Sequence, residues 1–167
     1  TAEGTTTIDV AESTYKDSAG NNNSAATQFN WTYDDTAPTL SSVAAADATY
    51  KVGQNIDITV TWSETVIKSG TPTLTLSNGA TASYTSGSGS AALVFRYTVA
   101  EGNTDSSDLS VSSYSGTIAD AAGNAAAAAS GDLGSVIVDA NKPTISSVTS
   151  TTNDGTYKEG DTVNVTV

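Results

Sequence analysis

Cysteine, methionine and histidine are absent from the 167 residues, and only six side chains are cationic. Without cysteine there is no disulfide framework, no thiol nucleophile and no thiolate metal site. Without histidine, the Ser-His-Asp triad, the common zinc sites and the usual proton shuttle at neutral pH are excluded. Six scattered cations cannot neutralise a polyanion, which argues against nucleic acid and anionic membrane as partners. No apolar run reaches 18 residues, so no spanning helix is expected, and no signal peptide is read in this stretch. Carboxylate chemistry remains open, calcium above all, together with recognition of uncharged ligands.

What is present is acid, hydroxyl and small side chains. Asp and Glu number 18, for a net charge of -12, and 51 residues are Ser or Thr. Leu, Ile, Val and Phe supply only 29 residues, and such a thin aliphatic content at high charge is the composition of disordered chains. Periodicity overrides that expectation. Ile56, Ile58, Val60 and Trp62 alternate with polar residues, as do Leu93, Phe95, Tyr97 and Val99, and so do Phe29, Trp31 and Tyr33. Alternation of this kind, rich in Thr, Val, Ile and aromatics, describes strands with one buried face. It places both Trp31 and Trp62 in the core. Clusters such as Ser77-Asn78-Gly79 mark hairpin turns, and the short run Ala125 to Ala129 reads as strand or loop. The fold class is all-β.

Internal repetition sets the organisation. The segment from Pro38 reappears from Pro143, with an offset of 105 at Pro and 107 at Tyr50 and Tyr157. Asp17 to Asn21 matches Asp120 to Asn124 at an offset of 103, and Asp34 pairs with Asp139. Residues 1–35 then form the C-terminal part of one unit, 36–141 a complete unit, and 142–167 the N-terminal part of another. About seven short strands in about 105 residues suit an immunoglobulin-like β-sandwich in tandem. The expected strands cover 39–44, 55–62, 71–76, 81–85, 91–99, 109–114 and 135–139. The two partial units together lack a counterpart of Thr71 to Val99, so they cannot complete a second domain even by exchange between chains. The reading is a window of a longer array.

Such a sandwich sorts the acids. One pole of the complete unit gathers Asp34, Asp35, Glu64, Asp120 and Asn124, with Asp17 and Asn21 as the preceding unit's counterparts. The opposite pole gathers Asp47, Glu101, Asp105, Asp108 and Asp139. Calcium takes six to eight oxygens from carboxylates, amides, carbonyls and water, which suits a junction of this kind. Clustered carboxylates at a hinge would repel unless a cation neutralised them. The candidate ligands are therefore Asp34, Asp35, Glu64, Asp120, Asn124, Asp139, Asp17 and Asp105.

The motifs Asp-Asp-Thr-Ala-Pro (34–38), Trp-Ser-Glu-Thr-Val (62–66), Thr-Leu-Thr-Leu (73–76) and Asp-Ala-Ala-Gly-Asn (120–124) carry a resemblance. In this order and spacing the chain resembles the bacterial immunoglobulin-like repeats of large secreted adhesins and surface fibres. The resemblance implies tandem beads with calcium between them, a location at the cell surface, and a stalk that holds a binding domain away from the cell. It points to Asp34, Asp35, Glu64 and Asp120 as ligands. Lys142 stands where the other linker has Ala37, and Ala140 replaces its second Asp, which implies weaker calcium binding there. No catalytic role is expected: Glu64 and Asp120 could mimic a glycosidase pair, but no aromatic cluster lines the loops. The expected partners are neighbouring units of the same or adjacent chains, with a glycan or protein ligand, or filament assembly, as the alternatives.

Overall fold

The computed structural model describes residues 3–167, and among them there is no helix. These residues form twelve strands, the longest of them over the alternating segments. They are β1 (Gly4–Ile8), β2 (Phe29–Tyr33), β3 (Leu40–Ala44), β4 (Ala48–Lys51), β5 (Asn55–Leu76) and β6 (Thr81–Ser86). The remainder are β7 (Ser90–Thr98), β8 (Ser110–Ala119), β9 (Gly131–Asp132), β10 (Val136–Asp139), β11 (Thr149–Ser150) and β12 (Val165–Thr166).

The largest departure from expectation is β5. Two strands were expected over 55–62 and 71–76, but one runs for 22 residues across both. Its first half pairs antiparallel with β3 and β7, and its second half with β8 and β6. The β7 ladder breaks between Thr61 and Val66, and the β8 ladder between Ser69 and Thr73. These irregularities let one strand bend from one set of partners to another. At the second break Gly116 takes φ +102°, and a Cβ there would lie 2.8 Å from Pro72 Cα, so only glycine fits. The arrangement is all-β and largely antiparallel, and is consistent with a β-sandwich.

The core lies where the alternation points. Ile56, Ile58, Val60 and Trp62 of β5 are buried together with Leu93, Phe95 and Tyr97 of β7. Val111 and Ile118 of β8 and Val136 and Val138 of β10 join them. Trp62 meets Tyr114 edge-on, with ring centroids 6.4 Å apart. Its indole N–H donates to the Ala127 carbonyl at 3.4 Å, and the Tyr114 hydroxyl to the Ala126 carbonyl at 2.9 Å. The alanine run is thus a loop drawn over the tryptophan, with Ala126 and Ala129 small enough to be buried there.

β4 was not expected from sequence. It pairs in parallel with β10, Ala48 facing Val136 and Lys51 facing Asp139. Its four residues carry no alternation long enough to announce a strand.

The flanking segments stand apart. β1 and β2 form a two-stranded antiparallel sheet, and so do β11 and β12. Phe29 is 63% exposed and Trp31 37%, which corrects the expectation that this strand buries an apolar face. Both flanks nevertheless reproduce details of the central region. Thr149 pairs with Thr166 as Ala44 pairs with Thr59, at offsets of 105 and 107. The Lys158 N–H donates to Asp161 Oδ2 at 2.8 Å, as Lys51 N–H does to Gln54 Oε1. The Tyr157 hydroxyl donates to the Asn153 carbonyl, as Tyr50 does to Ala46.

Truncating the core should therefore cost far more than truncating the flank. Phe95→Ala is expected to lose about 3–5 kcal/mol of unfolding free energy. Trp31→Ala is expected to change it by roughly 0.5 kcal/mol or less, as for an exposed position. Denaturant titration of both variants checks this, and comparable losses would return Trp31 to the core.

Candidate metal centre

Three elements converge at one end of the central region. The linker after β2 carries Asp34, the irregular stretch of β5 carries Glu64, and the turn after β8 carries Asp120. One carboxylate oxygen from each lies within 4.8 Å of the other two. Glu64 reaches this position because it falls between Thr61 and Val66, where β5 departs from its β7 register. Nearby, the Ser63 N–H donates to the Thr39 carbonyl and Ser63 Oγ accepts from the Thr39 N–H, holding that stretch against the linker.

Asp120 is 6% exposed and fully engaged by its own turn. Its Oδ1 accepts from the Gly123 N–H at 2.7 Å and from the Asn124 N–H at 2.8 Å. Its Oδ2 accepts from Asn124 Nδ2 at 2.8 Å. Burial works to raise the Asp120 carboxyl, but the hydrogen bonds from Asn124, Gly123 and Ala122 outweigh it and leave the group below its ordinary value. The carboxylate is held ionised in a nearly closed site.

Asn124 is a brace. Its Nδ2 also donates to the Asp34 carbonyl at 3.1 Å, joining the turn to a linker 90 positions away. Asp34 in turn caps its own turn, Oδ1 accepting from the Thr36 N–H at 3.1 Å. Glu64 is pushed up, by burial first and then by repulsion from Asp34, Asp120 and Glu3. That repulsion is what a bound cation would remove. The donors are all hard oxygens, so the residues fit an alkaline-earth ion better than a transition metal.

Glu3 was missed by the sequence reading. The pairing of Gly4 with Tyr33 sets Glu3 opposite Asp34, and its carboxylate accepts from the Thr36 hydroxyl. Register arithmetic on β1 and β2 would have found it, but β1 lacks the alternation that would have prompted the pairing.

The other candidates lie elsewhere. Asp35 turns to the Tyr33 hydroxyl, accepting at 2.8 Å, and raises that phenol. Asp105 Oδ1 accepts from the Ala140 N–H at 2.7 Å, and Asp139 lines a groove with Lys51, Asn141 and Lys142. There Lys142 Nζ sits 2.8 Å from Glu101, a cationic side chain within the acidic pole. Among the described residues no second three-carboxylate cluster forms.

Asp17 and Asn21 repeat the turn without the cluster. Asp17 Oδ1 accepts from the Ala19 and Asn21 N–H groups at 2.9 Å, and Oδ2 accepts from Asn21 Nδ2 at 2.9 Å. The bridge between Lys16 and Asn22 matches that between Ala119 and Ala125. Gly20 and Gly123 occupy the same position at φ +89° and +100°, a left-handed conformation the turn requires. The same five-residue device is built twice, 103 positions apart. Hydrogen bonding to Asn21, side chain first, holds the Asp17 carboxyl below its ordinary value.

Comparison with protein-family models, with curated proteins and with solved structures returns no match.

The directions of these shifts give opposed pH dependences. Asp120 is lowered, so its contribution to stability is present above the ordinary carboxylate range and lost as pH falls through its folded value. Glu64 is raised, so protonating it favours the fold, and that benefit is lost as pH rises through its folded value. Glu64→Gln should then raise the melting temperature at neutral pH in chelator. Any gain in melting temperature that calcium gives the native chain should be smaller in the same variant. A drop in chelator would show that Glu64 is held by attraction, not repulsion.

Proposed function

We propose that this chain is a spacer segment of an extracellular tandem-repeat fibre or adhesin, with calcium stiffening the junction between successive units. The observation that carries this reading is the meeting of Asp34, Glu64 and Asp120 where the β1–β2 segment joins the central region. One ligand comes from the linker and two from the central unit, so an ion held there ties the linker to the domain that follows it. Asn124 already spans the same gap through one hydrogen bond to a backbone carbonyl. A divalent ion adds to that single contact a charge-neutralised set of bonds.

The ion we assign is calcium. Its long, adaptable bonds to oxygen tolerate three carboxylates from three separate segments, with carbonyls and water completing the shell. Magnesium asks for a tighter octahedron and gives up its waters reluctantly, which suits this wide, loop-built cluster less well. The role is mechanical and non-enzymatic. Repetition of the Asp-Xaa-Ala-Gly-Asn turn and of the Tyr50 and Tyr157 turns supports an array of like units, and the Thr- and Ser-rich outer faces suit an acidic surface kept in water. At the second linker the Lys142 and Glu101 pair takes the place of an ion, so that joint is less dependent on calcium.

Calorimetric titration of the full chain with calcium should show a site that Asp34→Ala and Glu64→Gln each weaken by at least about tenfold, since the count of charged ligands sets calcium affinity. Small-angle scattering, at a dilution where the chain sediments as a monomer, should show a wider spread of dimensions in chelator than in calcium. No calcium heat, or identical scattering in both buffers, would overturn the reading.

A further inference from the structure

The segment that follows the Asp120 turn is held to the linker on one side and to the core on the other. Residues 126–130 lie in no strand, and of the five alanines from 125 to 129 only Ala126 and Ala129 are buried. So little apolar area holds a segment weakly, and such segments open more readily than the ladders around them. What keeps this one in place is a short set of hydrogen bonds running in two directions.

Toward the linker, Asn124 Nδ2 donates to the Asp34 carbonyl at 3.1 Å, and the Ala127 N–H to the carbonyl of the buried Pro38 at 2.8 Å. Toward the core, the Ala126 carbonyl accepts from the Tyr114 hydroxyl at 2.9 Å, and the Ala127 carbonyl from the Trp62 indole at 3.4 Å. One peptide group carries a bond of each kind. The Ala126 carbonyl and the Ala127 N–H belong to the same planar trans unit, in which they point opposite ways. The Tyr114 hydroxyl, this peptide and the Pro38 carbonyl therefore form one chain of hydrogen bonds, each polarising the next. A rotation of that plane that frees the linker also turns the Ala126 carbonyl away from Tyr114. It disturbs the adjoining Ala127 carbonyl, and with it the bond to the indole.

We propose that residues 124–127 are a strap that makes the seating of the linker 34–38 and the shielding of Trp62 a single two-state event. Bending at the joint draws Pro38 away, opens the strap and admits water to Trp62, which is 2% exposed while the strap is closed. Linkage makes the converse hold: whatever loosens the strap on the core side frees the linker by the same free energy. The central unit thus senses and resists the orientation of the segment ahead of it. No cation is needed for this, so it goes beyond the junction ion proposed above and does not rest on it.

Perturbing each side and reading the other tests the strap. The measurements are made in chelator, so that the cation cluster takes no part and their outcome is separate from that of the calcium titration. In a Trp31→Phe background Trp62 is the one tryptophan, and its quenching by acrylamide reports its shielding. Pro38→Gly leaves every strap atom in place and keeps the linker carbonyl, while Asn124→Ala removes the other linker bond. Each should raise the quenching constant clearly above that of the parent, with an unchanged circular-dichroism spectrum. From the core side, Tyr114→Phe removes only a hydroxyl. Hydrogen exchange of the Ala127 amide, whose acceptor is Pro38, should then quicken about fivefold, as for the loss of one hydrogen bond. Amides of the β5–β7 ladder should exchange at the parent's rate. Unchanged quenching in either linker variant, or an Ala127 amide no faster in Tyr114→Phe, would overturn the proposal. So would ladder amides that quicken together with Ala127, since the core would then be loosening as a whole.

Discussion

β5 must belong to two ladders at once, and the rest of the molecule is arranged around how it does so. A strand 22 residues long cannot stay flat against one set of neighbours, since its twist would carry it off the core. Its irregularities include breaks between Thr61 and Val66 and between Ser69 and Thr73, and each of these has its own consequence. The first lifts Glu64 out of the hydrogen-bonded pattern and turns it toward the linker. The second brings Pro72 against Gly116 and fixes where β8 must run. β8 in turn delivers Asp120. The acidic cluster therefore follows from the path of one strand, although its members lie on three segments.

Acids outnumber bases three to one, so most carboxylates cannot find a cationic side chain. They find backbone N–H groups. Asp17 and Asp120 do so within their own turns, Asp47 with Ser135 and Asp105 with Ala140. Ionic pairing is confined to Asp57 with Arg96 and Glu101 with Lys142 among the described residues. Carboxylates satisfied in this way act as structural acceptors at loop ends, a role that amides fill in less acidic chains. Glu64 accepts no such bond from the described residues, and it is the member of the cluster that is raised, by burial first and then by its neighbours.

Strand placement was legible wherever large apolar residues alternate, as over 55–62, 91–99 and 135–139. It was legible for the cluster as well, because Asp34, Glu64 and Asp120 follow from assigning loops to one pole of a two-layer fold. Other features were not. β4 takes its strand character from β10, a partner 88 positions away, and nothing local in Ala-Thr-Tyr-Lys signals it. The exposure of Phe29 and Trp31 is likewise invisible to alternation, which shows that a strand has two unlike faces and not whether anything covers the apolar one. Asp35 failed for a similar reason. Adjacent carboxylates in an extended linker point to opposite sides, and the Tyr33 hydroxyl claims the second.

The parallel pairing of β4 with β10 has a consequence under load. The chain enters the central region upstream of β4 and leaves it downstream of β10, so tension along the polypeptide draws these strands in opposite directions along their own length. The ladder from Ala48–Val136 to Lys51–Asp139 is then loaded in shear, all its bonds together. A hairpin such as β6–β7, pulled from its two ends, would open one bond at a time. Extension would thus be resisted by a ladder only four residue pairs long, by virtue of the direction in which that ladder is pulled.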